Sequence, residues 1–143
     1  MNIVVIKETP GEPAVEEFSK VEWKKWDLEH YGEILNYISE HYTLKALEGE
    51  EIVGLLAFKV DGGVCFIDEL IVKSDQQGKG FGEDLIMKAE EIAREYHCHK
   101  AQLHTGADWK ERKFYEHMGY KKTNDLPDQY LRRDFVEYTK YIL

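Results

Sequence analysis

Apolar residues recur along this chain in two rhythms, and the changes between them mark out its elements. Residues 3–7 are β-branched and weakly alternating, which predicts a first strand closed by Thr9-Pro10-Gly11. Helical spacing follows. Pro13 suits a first helical turn, and Val15, Phe18, Val21 or Glu22, and Trp26 recur behind it, with acids early and Lys24-Lys25 late to complement the helix dipole. Asp27 is placed to cap a second helix whose shared face holds Leu28, Tyr31, Leu35 and Ile38.

From Tyr42 the rhythm becomes that of strands. Residues 42–47, 52–60 and 64–72 are separated by Glu48-Gly49-Glu50 and Asp61-Gly62-Gly63, which predicts an antiparallel meander. After a glycine-bearing loop, Phe81, Leu85, Ala89, Ile92 or Ala93, and Tyr96 form one stripe of a helix about four turns long, its other face charged and solvated. Residues 100–105 alternate as a strand, and residues 109–118 form a helix with Gly119 at its C-terminal cap. Residues 120–123 and 135–142 complete the sheet around a turn-rich link, Asn124-Asp125-Leu126-Pro127-Asp128. This order predicts an α/β (α+β) fold: a mixed, mostly antiparallel sheet of about seven strands with helices on both faces.

The chain's 143 residues, 43% hydrophobic, suffice for one packed core, so a single domain over residues 1–143 is expected. No apolar run approaches the roughly 20 residues of a membrane helix, and the N-terminus lacks a basic flank and a cleavage site. A cytoplasmic protein without a membrane partner follows. Two cysteines, Cys65 and Cys98, make no disulfide framework and fit a reducing compartment. A net charge of -9 argues against nucleic acid, which needs a clustered basic face. Residues 1–61 hold 13 acidic against 6 basic residues, and the remainder 15 against 13, so a cationic partner is expected of an acidic first half rich in aromatics.

The chemistry concentrates in Gln77-Gly78-Lys79-Gly80-Phe81-Gly82, between a strand and a helix. Such a loop offers backbone N–H groups and a helix's positive end to an anion, and glycine permits both the close approach and the backbone angles. It is not a P-loop, because Gly80 follows Lys79 and no glycine stands at the required distance upstream. It is not a dinucleotide fingerprint either, because Glu83 stands where the third glycine is wanted. Spacing alone leaves a glycine-rich turn without a ligand open.

The wider stretch from Phe66 through Asp68-Glu69-Leu70-Ile71-Val72 to Gly82 resembles the cofactor motif of the GNAT superfamily of N-acetyltransferases, with Gln77, Gly80 and Gly82 on its fixed positions. Phe114-Tyr115-Glu116-His117-Met118-Gly119-Tyr120 looks like the second signature of that family. The resemblance covers residues 42–143 well and the first 41 loosely.

The resemblance implies acetyl-CoA as co-substrate and a primary amine, on a small molecule or a peptide, as acceptor. Leu70, Ile71 and Val72 would hold the pantetheine arm along a free strand edge, whose N–H groups could polarise the thioester carbonyl. Gln77, Gly78, Lys79, Gly80, Phe81, Gly82 and Glu83 would cradle the pyrophosphate, and Lys73, Lys79, Lys110, Arg112 and Lys113 are the positive side chains available to the adenosine end. Tyr115 occupies the position that donates a proton to the departing thiolate. Glu69, directly or through water, is the favoured base; Asp68, its neighbour, is expected on the opposite strand face, and His104 is an alternative. Many relatives carry Asn where this chain has Asp108, so no cofactor contact is expected of it.

His97-Cys98-His99 with His104 lacks a second ligand pair, and no metal is expected. Cys65, in an apolar strand, reads as an inert buried thiol rather than a nucleophile. The final strand, if exposed, could pair across a homodimer. A non-catalytic acyl-CoA-binding module on the same fold is the competing reading.

Overall fold

The structure, a computed structural model, describes residues 12–143. The strand expected at residues 3–7 lies outside the described residues. The chain divides into two compact units, one ending at Asn36 and one spanning Tyr37–Leu143.

The described part of the first unit holds one helix, α1 (Pro13–Tyr31), rather than the two expected. Pro13 fills its first turn, and no glycine or further proline breaks the run before Gly32, which ends it in the left-handed region at φ 74° and donates its N–H to the Leu28 carbonyl. Asp27 therefore lies within α1 instead of starting a second helix. It is buried, and its carboxylate accepts the Leu35 N–H at 3.3 Å, so this residue serves the chain after the helix.

The second unit contains β1 (Ser39–Glu48), β2 (Glu51–Asp61), β3 (Val64–Val72), α2 (Phe81–Glu95), β4 (Lys100–Gly106), α3 (Glu111–His117), β5 (Lys121–Leu126) and β6 (Phe135–Tyr141). Its strands form one sheet in the order β1-β2-β3-β4-β6-β5, antiparallel except for the β3–β4 pair. About seven strands were expected and six are present among the described residues. Two expectations need correction. β5 runs on through Asn124 and Asp125 to Leu126, because cross-strand pairing with β6 overrides their turn preference. β6 lies between β4 and β5, so both of its edges are already paired and it cannot pair across a homodimer.

The register explains the core. Tyr42, Phe58, Ile67, Leu103 and Tyr138 are successive partners across five strands and so share one face. Leu85, Ile86, Ala89 and Ala93 of α2 and Tyr115 of α3 join the same cluster. Burying each large apolar side chain contributes about 1.5–3 kcal/mol. α2 also buries a charge that its stripe did not predict: Glu90 accepts the Tyr120 hydroxyl at 2.8 Å and the Lys140 ammonium at 2.9 Å. Among the described residues, no helix is long and apolar enough to cross a membrane.

Candidate active site

Two irregularities of β3 create the site. Its parallel pairing with β4 ends at Ile67–Leu103, yet β3 continues to Val72 and β4 to Gly106. Beyond that point the two strands share no ladder, and a cleft opens at the centre of the sheet. The second irregularity is a bulge. Phe58 pairs with Ile67 and Ala57 with Glu69, leaving Asp68 as the extra residue. Strict alternation would send Asp68 and Glu69 to opposite faces. The bulge cancels it and turns the two residues to one side of the strand, and both line one cavity, which corrects the sequence expectation.

Two cavities meet in this cleft. The smaller, about 520 Å³, is lined by Leu70, Ile71 and Val72 of β3, the loop from Gln76 to Gly78, and Gly80, Phe81, Gly82 and Glu83 at the start of α2. Lys110, Glu111, Phe114 and Tyr115 close its other side. The loop takes its shape from glycine: Gly78 at φ 79° and Gly80 at φ 91° adopt left-handed backbone that a Cβ would strain. At Gly82 the need is space, since a Cβ would stand 3.3 Å from Phe114 Cζ. Gln77 ties the loop to the strand by donating from Nε2 to the Val72 carbonyl at 3.3 Å.

The first intrahelical bond of α2 is from the Asp84 N–H to Gly80, so the N–H groups of Phe81, Gly82 and Glu83 have no helical acceptor. Together with the helix dipole they can hold an anion, so the cradle fits a pyrophosphate. Lys79 is the one expected loop residue outside the cavity lining; its ammonium bonds Gln76 Oε1 at 2.8 Å. Of the other positive candidates, Lys110 lines the cavity. Lys73 pairs with Glu51 and lies 3.9 Å from Asp75, and Arg112 donates to the Tyr138 hydroxyl at 3.0 Å and the Ala107 carbonyl at 2.7 Å.

The larger cavity, about 890 Å³, is lined by Asp68 and Glu69 of β3, by His104 of β4, by Phe135 and Glu137 of β6, and by Trp109 and Tyr130 from the connections. Leu70, Glu111 and Tyr115 belong to both cavities and mark where they join. Tyr115 is 8% exposed, packed against Phe114, Tyr120 and Tyr138. Burial, then the charge of Glu111, pushes its phenol up to about 12, so it keeps its proton at neutral pH. Glu111 was not singled out from sequence, although its position four residues before Tyr115 puts both on one helix face. Asp108 is exposed and lines neither cavity.

Cys65 is fully buried, and desolvation pushes its thiol up to about 12. At pH 7 roughly one molecule in 10⁵ would carry the thiolate, and Cys65 lines neither cavity, so it cannot serve as a nucleophile there.

The family model described as "Acetyltransferase (GNAT) family" matches residues 11–120. No curated protein sequence matches the chain. Among solved structures, an acetyltransferase from Bacillus cereus is 20% identical with a TM-score of 0.71, over 95% of this chain and 97% of that one. A Bacillus subtilis acetyltransferase in complex with CoA is 22% identical with a TM-score of 0.64, over 95% and 96%. A GNAT family acetyltransferase from Elizabethkingia anophelis with acetyl-CoA bound is 17% identical with a TM-score of 0.66, over 71% and 76%.

Proposed function

Because the chain belongs to the acetyltransferase (GNAT) family, we propose that it is an acetyl-CoA-dependent N-acetyltransferase acting on a primary amine of a small cationic or peptide acceptor within a ternary complex. The observation that carries this reading is the junction of two cavities at Leu70, Glu111 and Tyr115, beside the strand edge that β4 leaves free. One cavity offers an anion cradle. The other offers carboxylates to an amine.

Acetyl-CoA supplies the thioester, whose carbonyl carbon takes the amine's lone pair and whose sulfur leaves with the bonding pair. The chain's own part is to hold the pyrophosphate on the N–H groups of residues 81–83, and to hold the pantetheine arm and polarise the thioester oxygen along the backbone of Leu70, Ile71 and Val72. An alkylammonium titrates near 10, so only about one in a thousand is neutral at pH 7 and the site must remove a proton. Glu69 takes it, directly or through water, with Asp68 in the same cavity. Tyr115 gives its phenolic proton to the departing sulfur and regains one as the nitrogen sheds its second proton on forming the amide; its burial keeps the proton in place until it is needed. We assign this activity to residues 1–143 as one domain, working in the cytoplasm, where the free thiols of Cys65 and Cys98 stay reduced.

The test is thiol release from acetyl-CoA across a panel of amines, with mass spectrometry of the product. Amine-dependent release that Tyr115→Phe and Glu69→Gln each reduce supports the reading. Binding of acetyl-CoA with no release on any amine overturns it in favour of a binding module. Full turnover in both variants overturns the roles given to these two residues.

A further inference from the structure

We propose that the end of the larger cavity formed by Tyr130, His104 and Glu137 is a subsite for a second ammonium group, so that the acceptor is a diamine or polyamine acetylated at one end while the other is held. This inference rests on the acetyltransferase reading for the identity of the reacting end. Four carboxylates line the cavity, Asp68, Glu69, Glu111 and Glu137, and no lysine or arginine does. A single reacting amine needs one proton acceptor; four acidic residues around one cavity suit a ligand with charge at more than one point.

Glu137 is the best fixed of the four. One carboxylate oxygen accepts the Thr123 hydroxyl at 2.8 Å, and the other lies 3.7 Å from His104 Nε2. It stands on β6, beside β4 and across the cleft from the free edge of β3. Aromatic faces line the path. Trp109 and Tyr130 each meet Phe135 edge-on, with centroids 5.4 and 4.8 Å apart, and the Tyr130 hydroxyl hydrogen-bonds His104 Nδ1 at 3.1 Å. Such a wall attracts an alkylammonium through its rings and covers the methylenes between two charges. Phe66, a further ring in the cavity lining, already carries a cation of the chain, with Lys59 Nζ 5.3 Å from its centroid.

The loop that carries Tyr130 is held in one shape. Asp128, Leu131 and Arg132 all have positive φ, 50°, 53° and 59°, though none is glycine. That conformation is held by the Arg132–Asp128 ion pair at 3.2 Å, the Gln129 N–H to the Arg133 carbonyl at 2.8 Å, and the Asp128 N–H to the Asp134 carboxylate at 2.9 Å. These contacts fix the loop that brings the Tyr130 ring to the cavity.

The experiment is calorimetric titration of the full chain with 1,4-diaminobutane, spermidine and butylamine, alongside thiol release with the same amines. The expected result is that the diamine and triamine bind about tenfold more tightly than butylamine, and that this ratio falls to about one in Glu137→Gln. Tyr130→Leu, in an exposed loop, gives the same loss of ratio should Glu137→Gln fail to fold. Equal binding of all three amines overturns the subsite and leaves the acetyltransferase reading standing. A tenfold preference that both folded variants retain also overturns it. A preference lost in either variant, without thiol release from any amine, keeps the subsite and removes the acetyltransferase reading.

Discussion

At the scale of single residues, the proposed chemistry rests on Tyr115 and the Asp68–Glu69 pair, and they differ in how far the sequence discloses them. Tyr115→Phe keeps the ring and its packing while removing the proton, so kcat is expected to fall about 100-fold or more with the melting temperature nearly unchanged. Steady-state kinetics with a thermal melt checks both. Glu69→Gln is expected to reduce kcat/KM at pH 7 by about 100-fold and Asp68→Asn by less; the reverse order would transfer the role of base to Asp68. Tyr115 and the glycine loop were legible because each lies on a contiguous motif. The shared face of Asp68 and Glu69 was not, since a bulge is an offset between two strands and leaves no mark within one of them. Glu137 and Tyr130 escaped for a related reason: what brings them to the cavity is the placement of β6 beside β4, which no local pattern encodes.

At the scale of elements, Gly106 at the end of β4 is the most constrained position near the cleft. A Cβ there would fall 2.3 Å from the Trp109 indole, a distance that neither group can accept. Gly106→Ala is therefore expected to displace Trp109 from the cavity wall, shifting tryptophan fluorescence and raising the acceptor KM severalfold while acetyl-CoA binding changes little. An unchanged acceptor KM would show that Trp109 does not shape the acceptor site. The expected strand at residues 64–72 coincides with β3, because the Gly62-Gly63 turn precedes it and apolar, mostly β-favouring residues fill it. Where a residue's type suggested a boundary, as with Asp27 in α1 or Asn124-Asp125 in β5, continuous helix and cross-strand pairing prevailed over local preference.

At the scale of the whole molecule, two features set stability. Glu90 is buried with Tyr120 and Lys140 and has Arg94 at 3.7 Å as a second cation, so Lys140→Met removes the nearer charge and leaves the weaker pair; a loss of about 2 kcal/mol in urea unfolding is expected. Burial also raises the thiol of Cys65 and the phenol of Tyr115 to about 12, from ordinary values of 9.0 and 10.0, and raises the phenol of Tyr120 as well. Above its ordinary value each group keeps its proton in the folded state and loses it in the unfolded one, so stability falls as pH rises from about 9 to 12. The slope is about 1.4 kcal/mol per pH unit for each group, with no contribution from them below pH 8. Thermal melts from pH 7 to 11 check this, and Cys65→Ala is expected to remove the part that begins near pH 9. The parting of β3 from β4 adds a different kind of consequence. It leaves the sheet with a seam through its middle, where the amide hydrogens that face the gap beyond Ile67 and Leu103 are expected to exchange faster than those in the row from Tyr42 to Tyr138. A ligand that bonds to that edge closes the seam like a rivet. Acetyl-CoA at 100 times its Kd would add about 2.7 kcal/mol, and hydrogen exchange would report the gain as protection at residues 70–72 before any acceptor is known.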